Sequence, residues 1–146
     1  DMDPVAIIPT HPFERTEIDK FRSNPFPDMI MFVVDVSQGR MALGGEMHAD
    51  AEQALLETGS RQQNLWGGNL WPWENPMRVE YVSLINIRPS VDNRGVEIAS
   101  GEIRKAVDRI VARWIRLSRW NPDIRQCVEL YRVLLSWDRR TQTVEP

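Results

Sequence analysis

Apolar and polar positions alternate most clearly over residues 78–88, RVEYVSLINIR. Val79, Tyr81, Ser83, Ile85 and Ile87 fall on one side of a two-residue period, and Glu80, Val82, Leu84, Asn86 and Arg88 on the other. Both sides are largely apolar up to Asn86, which predicts a central strand buried on both faces. Ile30–Val36 is rich in β-branched and aromatic residues, a second strand signal. The turn residues Ser37–Arg40 follow, and Met41–Leu43 completes a hairpin. Asn64–Trp73 predicts a third strand, bulged or bent at Gly67–Gly68. Further along, Ile103, Ala106, Val107, Ile110, Val111, Trp114 and Leu117 recur at helical spacing behind Ser100, a good N-cap. They predict a helix over Gly101–Arg119. Asn121-Pro122-Asp123 opens a second helix whose stripe is Ile124, Cys127, Val128, Tyr131, Leu134 and Leu135. A proline-rich arm and a short helix within Phe13–Phe21 come first.

Gly44–Glu57 fits two patterns. As a strand it carries Glu46, His48 and Asp50 on one face. As a helix it starts near Asp50 and stops at Gly59. The alternation favours a strand through about Asp50, and leaves Ala51–Glu57 open between strand and helix. The elements together predict an α+β fold, an antiparallel sheet of about four or five strands covered on one face by C-terminal helices. The buried sheet face would include Val82 and Leu84, or Tyr81 and Ile85. Residues 1–28 form an arm and short helix, 29–118 the main domain and 119–146 a helical extension.

Composition narrows the classes. At 146 residues, with 42% hydrophobic and 27% charged residues, the chain is an ordinary globular sequence. No apolar run approaches the ~20 residues of a membrane span. The single cysteine, Cys127, excludes an internal disulfide and a cysteine-based zinc site. With no secretory pattern at the N-terminus, a cytoplasmic location is the expectation. The net charge of −3 is unevenly spread. Residues 1–100 hold 8 basic and 15 acidic side chains, and residues 101–146 hold 10 and 6. The arginine-rich C-terminal part could face nucleic acid, but its charges are spread around the helices and the chain is acidic overall.

Three constellations could carry chemistry. Glu46, His48 and Asp50, on one strand face, could ligate a divalent metal or transfer protons. Asn86, Arg88, Asn93 and Arg94 surround a strand end, where two arginines could clamp a carboxylate or phosphate. Arg88 could equally pair internally with Glu46 or Asp50. The third is aromatic: Trp66, Trp71 and Trp73 crowd together, with Asn69 between them. Such residues fill cores or anchor partners. No phosphate-binding glycine loop and no nucleophile elbow is present.

GGEMHADAEQALLETGSRQQNLWGGNLWP, followed by SLINIRPSVDNRGVEI and a basic amphipathic helix, resembles a family of small bacterial proteins of unknown function. The resemblance spans Met29–Ile115. It implies that Glu46, His48, Asp50, Glu52, Gly59, Ser60, Gln62, Trp66, Gly67, Asn69, Asn86, Arg88, Pro89, Asn93 and Arg94 are motif residues. It implies a fold and a site, and no reaction. The sequence therefore favours a non-enzymatic binding or assembly module with a protein partner or a second copy. Its interface candidates are Trp71, Trp73, Trp120, Tyr131 and Trp137. The alternatives are a small enzyme or anion binder, with no firm cofactor and a divalent metal as a remote option, and arginine-mediated nucleic-acid binding.

Overall fold

In the computed structural model, which describes residues 5–117, the sheet is built around Ile30–Asp35 (β1). This strand pairs antiparallel with Arg40–Leu43 (β2) on one side and with Leu65–Trp71 (β3) on the other. Arg78–Glu80 (β4) adds to the far side of β3, giving the order β2-β1-β3-β4. The predicted α+β class and antiparallel sheet are present, and of the four or five strands expected the sheet has four.

The period of two decides the layers. Ile30, Phe32 and Val34 point to one face, where they pack with Trp66, Leu70, and Val107, Ile110 and Val111 of the helix Gly101–Trp114 (α3). Val33 points to the other face and packs with Leu65, Ala51 and Leu55. Ala51 and Leu55 belong to the helix His48–Glu57 (α2), so helices cover both faces of the sheet. A short helix, Arg15–Asp19 (α1), contributes Ile18 to the α3 layer. The arm is stitched to the domain: Ile7 exchanges backbone hydrogen bonds with Leu43, and Phe13 bridges Ile115.

Three expectations are corrected. Gly44–Asp50 is not a strand. Gly44 and Gly45 adopt φ of 99° and 90°, a conformation that turns the chain out of β2, and the alanine- and leucine-containing stretch behind them is helical. Residues 78–88 are not one central strand. β4 is a three-residue sheet edge, and at Ser83 the side chain accepts the Ile85 N–H, starting a single 3-10 turn at Leu84–Asn86. Tyr81 packs beneath α3, whereas Ile85 belongs to the opposite layer and Leu84 is exposed. β3 carries no bulge, since its register with β1 runs unbroken from Leu65 to Leu70. In addition, α3 stops at Trp114 rather than Arg119, because Ile115 turns extended beside Phe13. The helix read from Asn121 onward lies outside the described residues.

One buried polar lock went unread in the sequence. Asp35, fully buried, accepts the N–H groups of Ser37 and Gln38 at 2.9 Å and the Ser60 hydroxyl at 2.5 Å. Arg40 donates to Ser60 Oγ and to the Leu55 carbonyl, joining the β1–β2 turn to the C-terminal end of α2.

Candidate binding groove

At Gly67, β3 has lost its neighbour β4, and its backbone would lie unpaired. The Asn86 carboxamide takes the place of a strand there. Its Oδ1 accepts the Gly67 N–H at 2.8 Å, and its Nδ2 donates to the Gly67 carbonyl at 3.0 Å and to the Val96 carbonyl at 3.1 Å. Asn93 then holds Asn86. Its Nδ2 donates to the carbonyls of Asn86, Gly95 and Glu97, and its Oδ1 accepts the Ala99 N–H. Both side chains are buried and fully engaged, so they fix the loop. Gly67 itself has no room for a side chain: a Cβ would sit 2.7 Å from Ser83.

The Glu46–His48–Asp50 row is dispersed by the helix. Asp50 Oδ2 accepts the N–H groups of Glu46 and Met47 at 2.9 and 3.0 Å, closing the first turn of α2. Asp50→Ala is expected to cost about 1 kcal/mol, measured from the urea midpoint. Among the described residues no three His, Cys, Asp or Glu side chains are grouped to hold a metal ion. His48 Nε2 donates to the Gly68 carbonyl at 2.8 Å, which fixes the proton on that nitrogen. Burial lowers its pKa below 6.5, partly opposed by the Gly68 carbonyl and the Asn69 side chain. A histidine whose folded pKa is depressed contributes stability above its unfolded pKa and loses it as pH falls toward the folded value. The unfolding free energy is therefore expected to drop more steeply below about pH 6.5 in the natural chain than in His48→Gln. Urea titrations from pH 7 to pH 5 check this.

Arg88 and Arg94 do not converge. Arg94 faces Asp92 on the exposed surface. Arg88 does not pair with Glu46 or Asp50 either. Its guanidinium lies 4.3 Å above the Trp66 ring and donates to the carbonyls of Gln63, Leu65 and Ile85. Burial lowers the Arg88 pKa, and the charge of Glu52 opposes this. The tryptophans are likewise engaged: Trp66 is buried, Trp71 Nε1 donates to Glu80, and Trp73 Nε1 donates to Asp19. Asn69 is buried beside them and donates weakly toward Glu80 and the Val82 carbonyl, at 3.4 Å each. Trp120, Tyr131 and Trp137 lie outside the described residues.

Arg88 opens onto a groove of about 540 Å³ lined by Glu52, Arg61, Gln62, Leu84, Ile87 and Ser90, among others. Its α2 wall is Glu52. The 3-10 turn Gln62–Asn64 supplies the glutamine, and the turns at Leu84–Asn86 and Pro89–Val91 supply the rest. Leu84 is 76% exposed and Ile87 44% exposed, held out because Asn86 and Arg88 turn inward between and beside them. Sequence reading missed Arg61, Leu84 and Ile87. The setting of Leu84 and Ile87 beside buried Ser83 and Asn86 was the available signal, and it read as a two-sided strand; no pattern singled out Arg61.

The family model described as protein of unknown function (DUF5674) matches residues 7–114. The chain belongs to this family of proteins of unknown function. The DUF5674 match takes in the arm from Ile7 and ends at Trp114, the last residue of α3. No curated protein and no solved structure shows a significant match to the chain. In this DUF5674 chain a second crevice, about 590 Å³, lies between β4 and the N-terminal half of α3. Its polar side chains largely bind one another: Tyr81 donates to Asp108 at 2.5 Å, Arg78 pairs with Glu74 and Glu80, and Arg104 pairs with Glu97. Among the described residues no helix is long and apolar enough to cross a membrane.

Proposed function

We propose that this domain is a non-enzymatic protein-binding module, and that its docking surface is the groove between α2 and the 84–91 loop. The carrying observation is the pairing of Leu84 and Ile87, aliphatic side chains held in solvent, with the polar floor at Arg88. Exposed aliphatics beside a groove match the apolar centre and polar rim of an interface. The other sequence motifs support the reading indirectly. Asn86, Asn93, Asp50 and His48 have internal partners that account for them.

A random peptide library displayed on phage and selected against the full chain tests this. The selected peptides are expected to bind Leu84→Glu/Ile87→Glu at least tenfold more weakly, since burying one such side chain is worth about 1.5–3 kcal/mol. Failure to select any peptide, or binding indifferent to that double substitution, contradicts the proposal. Both positions are exposed, so the variant's unfolding midpoint should stay close to that of the natural chain.

A further inference from the structure

Resting on that reading, we infer that the occupant of the groove is an acidic segment of a partner protein, with one carboxylate held by Arg88 and Arg61 and a neighbouring aliphatic side chain laid on Leu84 and Ile87. A guanidinium has five N–H donors. Arg88 directs three hydrogen bonds to main-chain carbonyls, so two N–H groups are without a partner among the described residues. Stacking on Trp66 fixes the plane of the guanidinium, and with it the directions of the two N–H groups that remain, so Arg88 and Arg61 would each give single charge-assisted hydrogen bonds to the carboxylate. Arg88 makes no ion pair among the described residues, and neither does Arg61 on the same groove.

Charge complementarity selects the ligand. The groove carries two guanidinium groups against one carboxylate, Glu52, which Gln62 already approaches at 3.5 Å. One surplus positive charge suits a single carboxylate. It suits a nucleic-acid backbone poorly, because Glu52 repels successive phosphates. The exposed amides of Gln62 and Gln63 offer donors and acceptors to the main chain of an extended segment, and the aliphatic ledge has no role in binding a free inorganic anion.

The test uses peptides selected from the same library. Replacing the acidic residue of a selected peptide by its amide should weaken binding to the full chain about tenfold. Arg61→Glu should weaken the acidic peptide by at least as much and leave the amide peptide almost unchanged. The Nε–H resonance of Arg88 should shift when the acidic peptide is added. Peptides that need Leu84 and Ile87 but bind equally well as amides would overturn carboxylate recognition and leave the docking groove standing. Peptides insensitive to Leu84→Glu/Ile87→Glu would overturn the groove itself. An Arg88 resonance that does not move would overturn the role given to that residue.

Discussion

Asn86→Ala is expected to lower the unfolding free energy by about 4 kcal/mol. The substitution removes the sole side chain seen to pair with the main chain of Gly67, and takes from the Val96 carbonyl one of its two donors, leaving it the Ser83 N–H. Each buried backbone group left unpaired costs roughly 1–3 kcal/mol, and two belong to one buried glycine. Asn86→Asp is a sharper test, because it hardly changes the shape. It keeps an acceptor for the Gly67 N–H and turns a second oxygen toward the Gly67 and Val96 carbonyls, so at neutral pH it should cost at least as much. Urea denaturation of both variants measures the effect. A loss below about 1 kcal/mol would mean that the sheet edge closes without Asn86, against the role assigned to it.

Gly68→Ala is expected to cost about 3 kcal/mol or more, at the upper end of the usual range for overpacking. A Cβ on Gly68 would run into the carbonyl oxygen of Glu80 and stand 2.5 Å from Cζ of Phe32. The first obstacle is the backbone of the paired strand and the second is a fully buried ring, so neither can yield without disturbing β3. Gly101→Ala is the control. Nothing lies within 4 Å of a Cβ there, and its stability should change by less than about 0.5 kcal/mol. Equal effects at the two positions would show that space at the β3–β4 seam is not what Gly68 provides.

The hairpin and α3 with its Ser100 cap were legible because each rests on a local pattern: β-branched runs, a helical stripe, a capping hydroxyl. The segments that failed share a different cause. In residues 44–50 polar residues alternate as on a strand, yet two glycines at positive φ and the Asp50 cap make the stretch a turn into a helix. In residues 78–88 apolar residues alternate, yet a serine hydroxyl and an asparagine amide divert the backbone after three paired residues. Side-chain hydrogen bonds to main chain have no period, so alternation alone cannot reveal them. The candidate site suffered accordingly. Arg88 was read as one arm of an anion clamp with Arg94, but the second guanidinium lining its groove is that of Arg61, and Arg94 pairs with Asp92. The apolar half of the groove, Leu84 and Ile87, was read as core.

The most direct measurement is the footprint of a selected peptide on the amide and guanidinium resonances of the full chain. The docking proposal predicts that the perturbed residues gather at Arg61–Gln63 and Leu84–Ser90, with Glu52 beside them. Perturbations centred instead on Val79, Tyr81 and Lys105, in the crevice between β4 and α3, would contradict it.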